Sequence, residues 1–223
     1  YAYQIVYLFV GLIGKGRGGR EDAKLHRYAA VVAARNESAV IANLIRTLKE
    51  QNYPSELLDI YVIADNCTDN TAQISRQAGA YVYERFNKVQ VGKGYALEYL
   101  FRHIFEDKGE TAYDGFFVFD ADNIVDRDFV REMNKMFDTG EYTALTSYRN
   151  SQNFCANWIS AGYALWFLRE SRYLNGARYT IGSSCAVSGT GFAFTREILD
   201  RIGSWHFFLL TEAMEFTIDN LVH

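Results

Sequence analysis

Asp120 and Asp122 are two carboxylates separated by one small residue, Ala121, and they close the apolar run Phe116-Phe117-Val118-Phe119. Two hard oxygen ligands at that spacing suit a divalent cation that bridges a diphosphate. With Asn123 behind them, the same residues also suit a plain Asp-rich turn. Three other polar clusters carry comparable chemistry. Arg35-Asn36-Glu37 follows Ala33-Ala34, Asp65-Asn66-Cys67-Thr68-Asp69 follows an apolar stretch ending at Ala64, and Lys93 stands between Gly92 and Gly94. Singly, Asn36 and Asp69 suit caps, Lys93 a solvated charge and the glycines a turn.

The elements that must position these clusters follow from the hydrophobic pattern. An unbroken apolar run such as 116–119 is the signature of a strand buried on both faces. Strands are expected over 28–34, 59–64, 80–85 and 115–119, alternating with helices over 38–51, 69–78 and 95–105. Ser38 is the expected N-cap of the first helix, Pro54 separates it from the next strand, and Gly79 sits where the second helix stops. This β-α-β-α rhythm predicts an α/β fold, a mostly parallel doubly wound sheet with helices on both faces. Further on, 142–148 and 187–195 read as strands, the second interrupted by Gly189 and Gly191, and 158–174 as a long aromatic-rich helix. Parallel strands end at one edge, so the four clusters converge on one crevice.

Composition narrows the classes. The 223 residues suffice for one sizeable core with a small subdomain, and 49% apolar with 22% charged residues is ordinary globular usage. A formal net charge of −4 suggests no nucleic-acid partner. Sixteen Tyr, 16 Phe and 3 Trp suit either a hydroxyl-rich or membrane-proximal ligand surface or a thick aromatic core. Cys67, Cys155 and Cys185 form no C-x-x-C pair, which argues against a zinc or disulfide framework and fits a reducing compartment.

Residues 1–14 are apolar apart from Gln4. Crossing a bilayer takes roughly 20 residues, so the run is too short to span, and no basic segment or cleavage site marks it as a signal peptide. It reads as the end of a transmembrane or interfacial helix, followed over 15–20 by a flexible basic linker that the positive-inside rule turns to the cytoplasm. A tail that merely packs on the domain is the other reading. The expected organisation is a membrane remnant with its linker over 1–20 and one α/β domain over 21–223, attached to the cytoplasmic face of the cell membrane.

Taken in order, the segments AARNE, ADNCTDNTA, GKGYAL, DADN, SGTGFAF and LTEAMEF resemble a family 2 glycosyltransferase of the GT-A fold. The resemblance runs from about residue 28 to 219. It implies transfer of a sugar from a nucleotide-sugar donor, UDP-linked, to a saccharide or lipid-linked acceptor. Asp65 would accept the N3–H of uracil, a charge-assisted bond, with Ala33, Arg35 and Glu37 completing the nucleoside pocket. Lys93 would offset diphosphate charge, Asp120 and Ala121 would face the donor, and Asp122 would lead Asp120 in holding Mn2+ or Mg2+. Gly189, Thr190 and Gly191 would line the donor or acceptor, with a β-bulge as the equally weighted alternative. Trp205 and His206 are candidates for stacking on an acceptor sugar, although Trp205 suits core packing as well.

One position departs from the pattern. The family carries Thr-Glu-Asp where this chain has Thr211-Glu212-Ala213, so Ala213 occupies the place of the general base of an inverting transfer. A methyl group takes no proton, and loss of a general base costs ~10²–10⁴ in rate. Neighbouring positions of a helix point elsewhere, so neither Glu212 nor Glu215 replaces it directly. The chain is therefore expected to bind donor and turn over poorly. Two alternatives stand beside this reading: a non-catalytic nucleotide-sugar-binding scaffold, and a sugar-1-phosphate nucleotidyltransferase, whose Gly-rich Arg-containing loop Ala33–Glu37 lacks.

Overall fold

The computed structural model describes residues 2–14, 18–152, 154–209 and 211–223. The basic stretch over 15–17 and Leu210 of the last acidic motif lie outside the described residues. The strands are β1 (Tyr28–Ala34), β2 (Leu58–Asp65), β3 (Tyr81–Arg85), β4 (Gly115–Asp120), β5 (Ala144–Thr146) and β6 (Phe192–Thr195). The helices are α1 (Ala2–Ile13), α2 (Ile41–Lys49), α3 (Thr71–Gln77), α4 (Lys93–Lys108), α5 (Phe129–Phe137), α6 (Trp158–Leu168), α7 (Gly176–Thr180), α8 (Arg196–Ile202) and α9 (Glu212–Val222). They build two compact units, Gly19–Leu145 with Gly189–His223, and Tyr1–Gly18 with Thr146–Ser188.

The larger unit is organised by a sheet of order β3-β2-β1-β4-β6-β5. β1 pairs parallel with β2 and β4, β2 pairs parallel with β3, and β6 runs antiparallel to β4. The alternation of strand side chains divides the core into two layers. Tyr28, Ala30, Val32, Phe117 and Phe119 pack with Ile41, Leu44, Ile45 and Leu48 of α2 and with Val130 and Phe137 of α5. The α2 positions are spaced i, i+3, i+4 and i+7, which is one helical face. On the other face, Phe101 of α4 meets Phe116 edge to face at 5.1 Å and Trp205 at 5.7 Å. The expected mostly parallel, doubly wound α/β sheet is the observed one.

Several boundaries shift for identifiable reasons. The first helix begins at Ile41 rather than at Ser38, and Val40 stands at its N-cap without a side-chain cap bond. The Ser38 amide instead donates to Asp69 at 3.2 Å, so a carboxylate from the next loop takes the place of the local cap. The strand expected over 187–195 reduces to β6, because Gly191 has φ +65 and turns the chain into it. The strand expected over 142–148 reduces to three residues, and the helix expected over 158–174 changes at Arg169 to a π-helical turn, Arg169–Asn175.

The smaller unit joins the amino-terminal helix to the segment between β5 and β6, which differs from a division at residue 20. α1 lies against the π-helical turn and α7 at two glycines. A Cβ on Gly14 would stand 2.7 Å from Thr180 Cγ2, and one on Gly11 would stand 3.0 Å from the Arg172 carbonyl oxygen. Only glycine permits that approach. Arg149 pairs with Glu170 at 3.2 Å and lies over the Phe167 ring.

Candidate active site

The carboxyl ends of β1, β2 and β4 and the start of α4 place the charged clusters around one edge of the sheet. β1 leaves it through Asn36 and β2 through Asn66, with φ of +58 and +53. Asparagine tolerates this left-handed backbone because its short amide bonds locally. Asn36 accepts the Thr68 amide at 2.8 Å, and Asn66 exchanges bonds with the Asn87 backbone at 2.9 and 3.0 Å. Asp69 then latches the two loops together, accepting from the amides of Thr71 and Ser38 and from the Thr71 hydroxyl. The Thr71 and Ser38 bonds hold its carboxyl down at about 2, so it remains a carboxylate throughout the ordinary pH range.

Asp65 closes β2 in register with Arg85 of β3. Both are 5% exposed, and a guanidinium nitrogen of Arg85 reaches Asp65 Oδ1 at 2.7 Å. The other terminal nitrogen of Arg85 donates to the Gln90 carbonyl at 2.7 Å, tying down the loop before α4. Arg85 escaped the sequence reading. Its available signal was a cation at the end of a strand, level with an acid at the end of its neighbour.

Lys93 is the junction of the site. Its Nζ donates to Asp120 Oδ1 and to the Gly189 carbonyl, each at 2.5 Å, and stands 3.9 Å from Glu212 Oε1. Both flanking glycines are structural. Gly92 has φ +138, and a Cβ on Gly94 would come within 1.9 Å of the Phe207 carbonyl oxygen. The Gly-Lys-Gly sequence thus delivers one ammonium group to three separate chain segments.

Thr190 fixes the acidic turn. It is 7% exposed; its hydroxyl accepts the Asp120 amide at 2.8 Å and donates to the Asn123 side-chain oxygen. The Gly191 amide donates to the Val118 carbonyl at 2.9 Å. Thr190 and Gly191 therefore support the acids from beneath, while Gly189 has no neighbour that a Cβ would meet. Ala121 is buried in the core, which leaves Asp120 and Asp122 on the opposite side of the turn. Asp122 is exposed and, among the described residues, bonded only locally, to the Asn123 side-chain amide at 3.2 Å.

The remaining predicted residues separate. Ala33 lies between Ile63 and Asp120 in the sheet and is the one residue of β1 not fully buried. Arg35 is exposed. Glu37 is brought to the acidic turn, where burial first and the charges of Asp122, Asp69 and Asp120 next push its carboxyl above the usual range. Ala213 is half-buried in the first turn of α9, next to Glu212. Trp205 requires a correction. It is 0% exposed and packed among Phe101, Phe194, Phe207 and Phe216, so its ring belongs to the core and offers no face to a sugar. His206 is exposed.

Among the described residues, no three His, Cys, Asp or Glu side chains gather into a closed metal cage. The pair present fits a different kind of site. Asp122 stands open to solvent and Asp120 is already met by Lys93, a donor set that suits Mg2+ or Mn2+ held by one or two carboxylates with substrate phosphates completing the shell.

The family model described as "Glycosyltransferase like family 2" matches residues 26–219. The beta-monoglucosyldiacylglycerol synthase of Synechocystis sp. is 28% identical over 198 residues, covering 86% of this chain and 40% of that protein. Among solved structures, a mannosyltransferase from Pyrobaculum calidifontis in complex with GDP-Man and Mn2+ superposes with a TM-score of 0.63 at 20% identity, over 91% of this chain and 55% of that one. Residues 1–349 of TarS from S. aureus in complex with UDP superpose with a TM-score of 0.56 at 13% identity, over 86% and 54%. The fold is GT-A. The chain spans about two fifths of the synthase and about half of each solved chain.

Proposed function

The chain belongs to the glycosyltransferase-like family 2, and from that premise we propose that it transfers a sugar from a UDP-sugar to a hydroxyl acceptor. One observation carries the reading. Lys93 draws Asp120, the Gly189 carbonyl and Glu212 to a single point, while Asp122 is left exposed beside them. An exposed acid next to a satisfied one is a place for a cation and a diphosphate to arrive together.

Asp65, held in place by Arg85, is the acceptor for the uracil imide, and Ala33, Arg35 and Glu37 border the nucleoside. Asp122, with Asp120, would hold Mn2+ or Mg2+, which supplies Lewis-acid charge neutralisation to the departing diphosphate. Lys93 orients Asp120 and adds a second positive charge on the leaving-group side. The acceptor oxygen bonds to the anomeric carbon as the bond to the diphosphate breaks, and the acceptor proton must pass to a base. In an inverting transfer that base lies on the face opposite the leaving group, and Ala213 stands in its position. Glu212 faces Lys93 at 3.9 Å instead, so this chain binds donor with slow turnover. The acceptor is a saccharide or lipid-linked hydroxyl, reached through attachment of α1 to the cytoplasmic face of the membrane. The same alanine favours a second reading, a nucleotide-sugar-binding scaffold without turnover.

Calorimetric titration with UDP, GDP and CDP, each with Mn2+ and again with EDTA, tests the assignment. Metal-dependent preference for UDP supports it. Preference for GDP moves the base contact away from Asp65, and absence of all nucleotide binding rejects the donor site.

A further inference from the structure

The smaller unit carries an unusual combination of surface properties. α6 reads Trp-Ile-Ser-Ala-Gly-Tyr-Ala-Leu-Trp-Phe-Leu, apolar nearly all round, yet Ala164 is its one buried residue. Trp158 is 83% exposed, and Ile159, Tyr163, Leu165 and Trp166 each exceed half. α1 presents Ile5, Val6, Phe9, Leu12 and Ile13 in the same way. A helix that is hydrophobic on all sides is normally covered, by a core or by lipid.

Charge selects between possible covers. Over Thr146–Ser188, Arg149, Arg169, Arg172 and Arg178 stand against the single acid Glu170, so this segment carries +3 in a chain whose total is −4. Arg149 is taken by Glu170, while Arg169 and Arg172 are exposed and have no ion pair among the described residues. A second copy docking through the same face would bring like charge to like charge. Anionic lipid headgroups would neutralise it, and exposed Trp beside Arg is the composition of an interfacial surface. No helix among the described residues is long and apolar enough to cross a membrane, and α6, bounded on both sides by polar chain, would lie in the interface.

We propose that Thr146–Ser188 is a second membrane-seating element, in which α6 inserts Trp158 and Trp166 at the headgroup boundary of an anionic bilayer and Arg169 and Arg172 meet the lipid phosphates. The proposal rests on the membrane attachment given to α1 above and assigns half of that attachment to a segment distant in sequence.

Flotation on phosphatidylcholine vesicles with and without phosphatidylglycerol, combined with quenching of tryptophan emission by brominated lipid, separates the two claims. Trp205 is core-buried, so quenching reports Trp158 and Trp166. Trp158→Ser with Trp166→Ser should weaken binding roughly tenfold. Arg169→Gln with Arg172→Gln should remove roughly thirtyfold of the preference for anionic lipid. All four side chains are exposed, and unchanged melting temperatures will establish that the variants fold. If Phe9→Glu in α1 abolishes binding while these variants bind like the parent, the second element is rejected and the α1 attachment stands. If the parent chain ignores vesicles, both are rejected. Concentration-dependent dimerisation without lipid quenching would also overturn the proposal, because the apolar surface would then be covered by a second copy.

Discussion

The two edges of the central sheet in the larger unit are both rich in acids, but they settle their charge differently. At the amino edge three acids are held by close partners. Asp59 takes Arg27 at 2.9 Å and the Tyr113 hydroxyl at 2.5 Å, Asp114 accepts the Arg27 amide at 2.8 Å, and Asp138 takes His26 at 3.0 Å. Asn134, 1% exposed, accepts from the hydroxyls of Tyr28 and Tyr53, each at 3.0 Å, and donates to the Lys24 carbonyl. The His26 bond holds the Asp138 carboxyl below its usual range, while burial pushes the Tyr61 phenol up to about 12. At the carboxyl edge, Asp122 has no cation among the described residues, and Glu37 is pushed up by burial first and by its acidic neighbours next. A cavity of about 350 Å³ opens at the amino edge, bordered by His26, Tyr28, Tyr113 and Asp114. The contrast is one of charge: Asp59, Asp114 and Asp138 are neutralised or hydrogen-bonded within the fold, whereas Asp122 and Glu37 are the acids on which the proposed donor site rests.

Changes at each edge sharpen this contrast. The largest effect is expected from adding a carboxylate where the carboxyl edge lacks one. Ala213→Asp should raise sugar transfer by ~10²–10⁴, measured as UDP release with a hydroxyl acceptor, and an unchanged rate would remove Ala213 from the position of the base. Next is Asp122→Asn, which should abolish the Mn2+ dependence of UDP binding while leaving urea stability within about 0.5 kcal/mol, as for an exposed side chain. Persistent metal dependence would place the cation elsewhere.

At the amino edge the pattern should reverse. Asn134→Ala orphans the buried Tyr28 hydroxyl, while the Tyr53 hydroxyl keeps the His26 carbonyl at 2.6 Å, and should cost about 1–3 kcal/mol of stability, read from urea unfolding. UDP affinity should stay at the parental value; a parallel loss of affinity would erase the distinction between the edges. The smallest effect concerns Asp69. Its folded value, about 2, lies below the ordinary carboxylate value of 3.8, so its contribution is complete above pH 4 and disappears as the pH falls toward 2. Asp69→Asn should flatten that part of the melting temperature against pH curve and nothing above it.

The contrast also separates what could be read early from what could not. Asp120, Asp122, Lys93 and Asp65 were legible because a buried parallel strand is an apolar run, and whatever follows it must stand at the carboxyl edge. Arg85 was not, and Thr190 was legible as a site residue but not as the support of the acidic turn, because these roles depend on register and on a hydroxyl crossing between segments 70 residues apart in the chain. Trp205 shows the ambiguity of aromatics: the same residue suits a sugar or a core, and only the rings of Phe101, Phe194, Phe207 and Phe216 around it decide. Ser38 misled because capping propensity is local, while the Asp69 carboxylate that displaced it arrived from another loop.

By itself, the sequence determined the α/β rhythm and the convergence of the acids on one sheet edge, since these follow from pattern and chain direction. Tertiary structure alone decided which acids are neutralised, that Lys93 binds three segments at once, and that α1 belongs with Thr146–Ser188. The physical reason is range. Periodicity and turn chemistry act over a few residues, whereas an ion pair or a packed ring depends on which distant segments the fold brings within a few ångströms.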